Sequence, residues 1–320
     1  MKPHHEVLRA AYAVLGDRAQ RHVPLGPLTT YGVGGKAALF LGGCGPDDLA
    51  LARRAVAASG VPVLVLGRGS NVLVADRGFP GLVITLGEAF AAIHLDEPGD
   101  LGQPAAARAG GAVSFPVLAR RTAAVGFRGL EWAVGVPGSV GGAVRMNAGG
   151  HGSDVAASLV RAWVFDLAGS DGDGGMEMAA ADLGLGYRSS SLGPLHIVVA
   201  AELAVTAGRR EDAEREVAAV VHWRREHQPG GSNAGSVFAN PEGDSAGRLI
   251  DAAGLRGFRR GSATVSPKHA NFVQVDEGGS ADDVHALIEE VRMTVKDRFG
   301  IELQLENRLV GFEPLPLSEG

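Results

Sequence analysis

Glycine-rich turns beside short apolar runs are the part of this sequence that could do chemistry. Five clusters stand out: Gly-Val-Gly-Gly at 32–35, Gly-Arg-Gly at 67–69, Gly-Val-Pro-Gly-Ser-Val-Gly-Gly at 135–142, Asn-Ala-Gly-Gly-His-Gly at 147–152 and Gly-Gly-Ser-Asn-Ala-Gly-Ser at 230–236. Without a Cβ, backbone can approach a ligand closely, and consecutive N–H groups can point at one site. In Leu66-Gly67-Arg68-Gly69-Ser70-Asn71, the two glycines permit such a nest, and Ser70 and Asn71 add side-chain donors. A nest of this kind holds phosphate without lysine. The segment Gly135 to Gly142 is a second candidate for the same diphosphate. Each loop equally reads as turn chemistry in a large mixed sheet. Together, in a chain with 48 glycines among 320 residues, about twice the usual share, they favour an extended anionic ligand.

Other chemistries are less compatible with the residues. Gly32-Val33-Gly34-Gly35-Lys36-Ala37 matches the outline of a nicotinamide-dinucleotide fingerprint. That motif needs a strand before it, a helix after it and an acid about 20 residues on; here Thr-Thr-Tyr precedes and the strand-like Ala-Leu-Phe-Leu follows. A Walker loop also fails, because Ala37 follows Gly35-Lys36. A single cysteine, Cys44, excludes an intramolecular disulfide framework and a multi-cysteine zinc site, and no metal is expected. Net charge is −6 with no long basic run, so nucleic acid is not an expected partner. No apolar stretch approaches the roughly 20 residues of a membrane span. The first 25 residues are amphipathic, unlike a signal peptide. A cytoplasmic protein is the default.

These loops need elements to hold them. An N-terminal helix is expected within 1–23, a short strand at Leu39-Phe40-Leu41 and a helix from Pro46 to Ala58 closed by Gly60. Strands follow at Val61–Leu66, Val72–Val74 and Leu82–Ile84. Residues 93 to 112 read as a polar seam, and Ser114 to Val125 as a helix. Strands at Val160–Phe165 and Ile197–Ala204 close this half. Further on, helices are expected at Glu211–Glu226, Ser245–Ala253 and Ser280–Phe299. In the last, Ser280 and Asp283 stand at capping-box spacing. Val284, Leu287, Ile288, Val291 and Val295 form one stripe, and Gly300 ends it. A strand at Phe272–Val275 precedes it. The tail after Glu313 should fray.

Six segments occur together and in order: LGRGSNVLVAD (66–76), GLEWAVGVPGSVGGAVRMNAGGHG (129–152), YRSS (187–190), SNAGSVFANP (232–241), SPKHANF (266–272) and LENRLVG (305–311). They closely resemble the UDP-N-acetylenolpyruvoylglucosamine reductase family, over about residues 24–312. The resemblance implies an α+β fold with a vanillyl-alcohol-oxidase-like (PCMH-type) FAD-binding part of two subdomains and a C-terminal α+β substrate domain. The corresponding boundaries are 1–23 (helix), 24–92 and 93–206 (FAD subdomains), 207–313 (substrate domain) and 314–320 (tail). It implies non-covalent FAD, NADPH as hydride donor and UDP-N-acetylglucosamine enolpyruvate as substrate, reduced to UDP-N-acetylmuramate for peptidoglycan. A monomer or weak homo-oligomer is expected.

Carried over residue by residue, the resemblance assigns Gly67, Arg68, Gly69, Ser70, Asn71, Gly135, Pro137, Gly138, Ser139, Gly141, Gly142 and Asn147 to FAD. It assigns Arg188, Ser236 and Glu306 to catalysis, and Tyr187, His227, Asn240 and Arg308 to substrate. Hydride arriving at C3 of the enolpyruvyl group drives charge through C2 onto the carboxylate. Arg188 would offset that charge, Glu306 would help if it carries or shares a proton, which burial favours, and Ser236 would protonate C2. From spacing alone, Arg188 reads as a surface arginine, Ser236 as an ordinary turn serine and Glu306 as the solvent face of a strand, and it is the combined motif order that points to catalysis; His269 reads as a structural hydrogen-bonding residue. His227 stands where the family commonly has lysine, and a histidine can be neutral at pH 7. Ala239 also replaces a frequent lysine. Only 47 residues separate Arg188 from Ser236, which suggests the shorter subtype without a tyrosine-bearing lid. Two other readings remain: a different FAD oxidoreductase of this fold, often tethered through His or Cys, and a non-catalytic flavin or UDP-sugar binding paralogue.

Overall fold

The computed structural model describes residues 4–96, 105–169 and 175–312. Residues 1–3 and the tail expected to fray after Glu313 lie outside them. Two compact units form. Unit 1 comprises 1–21, 39–68 and 81–227, and unit 2 comprises 22–38, 69–80 and 228–320. The seam read at 206/207 therefore falls inside unit 1: helix Arg210–His227 belongs with unit 1, and two N-terminal segments join the C-terminal unit.

In unit 1, Val63–Val65 runs parallel to Phe79–Leu86 in a four-stranded sheet that Lys36–Cys44 continues. Helix Pro46–Ser59 covers it. Pro46 opens that helix, Asp48 accepts from the Gly45 N–H at 3.0 Å, and Gly60 ends it in the left-handed region. Its Leu49, Ala52 and Ala55 are buried with Leu39, Leu41, Leu82 and Ile84. A second, five-stranded antiparallel sheet runs in the order Met176–Ala179, Leu159–Asp166, His196–Ala204, Ala106–Gly110, Ile93–Asp96. Its last two strands occupy the stretch read as a polar seam. Ala107 and Ala109 are fully buried, and the Arg108 guanidinium lies 4.0 Å from the Trp163 ring centroid. Small residues alternating with a long cation make a strand that low β-propensity conceals. Phe115, Leu118 and Ala119 of helix Phe115–Ala124 pack into the core on the Ala162, Val164 and Ala201 face.

Unit 2 is built on helix Ala281–Phe299, whose Val284, Leu287, Ile288, Val291 and Val295 are all buried as the periodicity requires. They pack with the antiparallel sheet Arg259–Arg260, Ala263–Val265, Val273–Val275. Ser280 Oγ accepts from the N–H groups of Asp282 and Asp283 at 3.1 Å each. The reciprocal half of the box is absent: Asp283 instead accepts from the Ser262 N–H and hydroxyl at 2.8 Å, and the Ser280 N–H goes to Ser262 Oγ. Asp is one methylene shorter than the Glu a capping box prefers. Asp76 completes the cap, accepting from Ser280 Oγ (2.6 Å), the Ala281 N–H (3.1 Å) and the Asp282 N–H (3.2 Å). Val72–Val74 pairs in parallel with Arg308–Val310, so the strand after the Gly69–Asn71 turn runs beside the C-terminal motif.

Candidate functional site

In unit 1 the two glycine-bearing turns meet. A Cβ on Gly67 would lie 2.6 Å from Ser139 Oγ. Ser139 caps helix Val140–Arg145 by accepting from the Gly142 N–H at 3.2 Å. Neither Gly67-Arg68 nor the 135–142 segment of this unit carries a carboxylate, so these unit 1 turns are chemically compatible with an anionic group. Within the second turn the roles differ from expectation. The N–H groups of Val140 and Gly141 are held by the carbonyls of Val113 and Gly111, and that of Gly142 by Ser139 Oγ. A Cβ on Gly141 would press on Val198 O at 2.9 Å. Gly141 and Gly142 thus pack and cap the helix, leaving Gly135, Pro137, Gly138 and Ser139 as the turn itself. Cys44 is fully buried, its thiol donating to Leu41 O at 3.2 Å and pushed up to about 12 by burial and then Asp48. It is inert and unsuited to tether a flavin.

Also in unit 1, Tyr187 and Arg188 form the tip of a two-residue turn closed by reciprocal Gly186–Ser189 backbone bonds of 3.1 and 3.2 Å. Arg188 has φ +50°, a conformation that costs an L-residue roughly 1–2 kcal/mol. Its Nη2 donates to Gly149 O at 3.0 Å, and its guanidinium lies 5.1 Å from the Tyr187 ring centroid. Asn147 pins the turn from below: Nδ2 donates to Gly186 O (2.9 Å) and Asp154 Oδ2 (3.2 Å), and Oδ1 accepts from the Ala156 N–H (2.8 Å). Buried and fully engaged, Asn147 is scaffold for Arg188 where a cofactor contact was expected. His227 ends helix Arg210–His227, exposed and stacked on Trp223 at 4.6 Å. Trp223 in turn meets His151 edge-on at 5.1 Å. Burial, then Arg224, lowers the His151 pKa.

In unit 2 the Asn233–Ser236 turn and the C-terminal motif are bonded partners. The Glu306 N–H donates to Val237 O and the Ala239 N–H to Gln304 O, 2.8 Å each, with Phe238 and Leu305 antiparallel neighbours. Ser236 and Glu306, both half-buried, are thereby brought together. Asn71, expected at the cofactor, spends its amide here. Its Nδ2 donates to Glu306 O at 2.9 Å, and its backbone carbonyl accepts from the Arg308 N–H at 2.9 Å. A cavity of 310 Å³ opens beside Ser236, lined also by Asn240, Arg248, Arg256, Lys268 and His269. Asn240 Oδ1 accepts from the Ala246 N–H at 3.1 Å. His269 Nδ1 accepts from the Asn271 N–H at 3.3 Å, the structural part read for it. Arg308 is exposed.

Comparison with known proteins decides what this arrangement is. Residues 227–310 match the family model described as UDP-N-acetylenolpyruvoylglucosamine reductase, C-terminal domain, and residues 45–174 match an FAD binding domain. The chain is 39% identical over 317 residues to UDP-N-acetylenolpyruvoylglucosamine reductase 2 of Symbiobacterium thermophilum, covering 98% of this chain and 99% of that one. It is 42% identical over 292 residues to the reductase of Heliobacterium modesticaldum, covering 90% and 89%. The chain belongs to the UDP-N-acetylenolpyruvoylglucosamine reductase family. The crystal structure of the Thermus caldophilus reductase superposes with a TM-score of 0.76 at 35% identity, covering 92% of this chain and 99% of that one. The family's α+β fold, with an FAD-binding part and a C-terminal domain, is the one found, and this reductase is an FAD-dependent oxidoreductase.

Within this reductase, two asparagines escaped the sequence reading. Asn307, between Glu306 and Arg308, reads as filler in a motif defined by its charged neighbours. Asn271 reads as the penultimate residue of SPKHANF, yet its amide accepts from the Phe238 N–H (3.0 Å) and donates to Phe238 O (2.8 Å). A buried polar residue next to apolar ones was the available signal, since such a group must find partners. Lys268 and Arg256 at the cavity were likewise unassigned.

Proposed function

We propose that this reductase converts UDP-N-acetylglucosamine enolpyruvate to UDP-N-acetylmuramate in the cytoplasm, using NADPH, for peptidoglycan precursor synthesis. The observation that carries this reading is the backbone pairing of Val237–Ala239, directly after Ser236, with Gln304–Glu306, together with a polar cavity that Ser236 lines. Gly67, Arg68, Gly69, Ser70, Gly135, Pro137, Gly138 and Ser139 hold the flavin; Asn71 and Asn147 act through the segments they brace. FAD held there would supply the hydride chemistry, from NADPH through N5 to C3 of the enolpyruvyl group. The protein handles the charge and the proton. Arg188 offsets the negative charge that develops on the substrate carboxylate, and Glu306 shares a proton with that carboxylate. Ser236 delivers its hydroxyl proton to C2, which completes saturation of the double bond, and recovers a proton from solvent. The cavity also carries Lys268 and two paired arginines, Arg256 bonded to Asp251 and Arg248 to Asp244, so a nucleotide diphosphate would meet Lys268 and guanidinium groups that share their charge with those carboxylates. Among the described residues, no helix is long and apolar enough to cross a membrane.

The test separates the two half-reactions anaerobically by flavin absorbance. NADPH should bleach the bound flavin, and UDP-N-acetylglucosamine enolpyruvate should restore it. Ser236→Ala should slow the restoration by about 10²–10⁴-fold, the usual worth of a general acid, and leave bleaching unchanged. Bleaching without restoration in the wild type would refute the substrate; equal loss of both steps in the variant would refute Ser236 as proton donor.

A further inference from the structure

Asn307 is 4% exposed, and its carboxamide touches three separate segments of unit 2. Nδ2 donates to Asn71 Oδ1 and Ala234 O at 3.0 Å each and reaches Ser236 O at 3.3 Å; Oδ1 accepts from the Tyr31 hydroxyl at 3.3 Å. The two carbonyls lie on either side of Gly235, whose φ of +76° makes the turn. One amide nitrogen thus straddles the bend that aims Ser236. Its backbone neighbours are Glu306 and Arg308, so the same residue ties the proton donor to the charged motif.

We propose that Asn307 is the positioning residue for Ser236, an inference that rests on the reductase reading above. No other side chain of this size offers two N–H donors and an acceptor in one plane. Leucine would withdraw the donor from Ala234 O and Ser236 O and leave the buried Tyr31 hydroxyl without its acceptor. Aspartate would turn a carboxylate toward three oxygens. The Gly69–Asn71 loop has anchors of its own, through Glu306 O and the Arg308 N–H. The Ser236 turn keeps the Gly235 N–H bond to Asn233 Oδ1 and the Val237 bonds to Asn271 and Glu306; truncating Asn307 removes the contacts on Ala234 O and Ser236 O that set the Ser236 backbone itself, and leaves the Gly69–Asn71 loop in place. Misplacing a reacting group by 1 Å costs on the order of 10² in rate, and that loss belongs to the protonation step.

The experiment uses the flavin-loaded enzyme and both half-reactions. Asn307→Ala should restore flavin absorbance with the enolpyruvyl substrate about 10²-fold more slowly, with bleaching by NADPH unchanged. In a Ser236→Ala background the same substitution should add no further loss, because it acts through that hydroxyl. Tyr31→Phe, which keeps all three Nδ2 contacts, should leave restoration unchanged. If Asn307→Ala does not fold, Asn307→Asp decides: a selective loss that eases at pH 5, as the carboxyl regains a donor, supports the role. Slowing of both half-reactions together, no slowing, additive loss with Ser236→Ala, or an equal loss in Tyr31→Phe would overturn it. A wild type that bleaches and never recovers refutes the substrate assignment instead, whatever Asn307 does.

Discussion

Gly67→Ala puts the meeting of the two glycine turns to a quantitative test. The added methyl would sit 2.6 Å from Ser139 Oγ, well inside contact distance, and 3.6 Å from Ser139 Cβ, an ordinary separation. Only the hydroxyl is in the way. It can rotate clear, but then it stops accepting from the Gly142 N–H and helix Val140–Arg145 loses its N-cap. An Ala-like cap costs about 1 kcal/mol, so thermal unfolding of the flavin-free protein should shift down by about 2–4 °C for a unit of this size. Ser139→Ala forfeits the same cap and should cost the same. The double variant, with the hydroxyl gone and room for the methyl, should cost no more than either single change. That leaves a coupling of about 1 kcal/mol in the cycle. Flavin titration by fluorescence quenching should show the parallel result: about fivefold weaker binding in Gly67→Ala, the factor equivalent to 1 kcal/mol. Additive stability losses would refute the contact, and wild-type flavin affinity in all three variants would refute the assignment of these turns to the cofactor.

Two further outcomes follow from the capping and titrating groups. Asp76→Ala removes three bonds to the N-terminus of helix Ala281–Phe299, while Ser280 keeps its own two; a destabilisation of about 1 kcal/mol is expected, read as a lower denaturant midpoint at unchanged m-value, and an unchanged midpoint would show Ser280 to be sufficient. His269 has a folded-state pKa below its ordinary 6.5, from burial first and Arg256 second, with its own backbone hydrogen bond opposing. The unfolded chain thus binds more protons at slightly acid pH, so the contribution is complete above about 6.5 and lost as pH falls through the lowered value. His269→Asn, whose side-chain oxygen can accept from the Asn271 N–H without titrating, should flatten the decline of Tm on the acid side; an unchanged slope would remove His269 from the account.

Much of the fold was legible because periodicity and punctuation agreed. Pro46 and Gly60 bracket one helix, and Ser280 and Gly300 another, with a continuous apolar stripe between the latter pair. The Ala106–Gly110 strand was not legible, because alanine marks no face until a partner sheet buries it. Nor was the division of the chain, in which 22–38 and 69–80 join the C-terminal unit. That depends on strand Val72–Val74 pairing with residues more than 200 positions away, a non-local contact no window detects. At the site, charged and hydroxyl side chains announced themselves through motif order. The amides of Asn271 and Asn307 did not, and those of Asn71 and Asn147 were assigned to the cofactor although they bond backbone here, since whether an amide serves a ligand or the backbone depends on which atoms tertiary structure brings near it.

The backbone of unit 1 carries its own argument about function. Asn147, His151 and Arg188 are three of the four non-glycine residues at positive φ among those described. They lie in two motifs that bond to each other through Asn147–Gly186 and Arg188–Gly149. Asparagine tolerates that region, and its fully used amide explains its place. Arginine gains nothing from it: glycine at 188 would close the Gly186–Ser189 turn without the steric cost. The positive φ sets the direction in which the arginine leaves the tip of the braced turn. That direction is the one that brings Nη2 to Gly149 O, and the proposed charge-offsetting role uses the same orientation. The strain also explains why Asn147 is buried beneath the turn, where it holds the strained tip against relaxation.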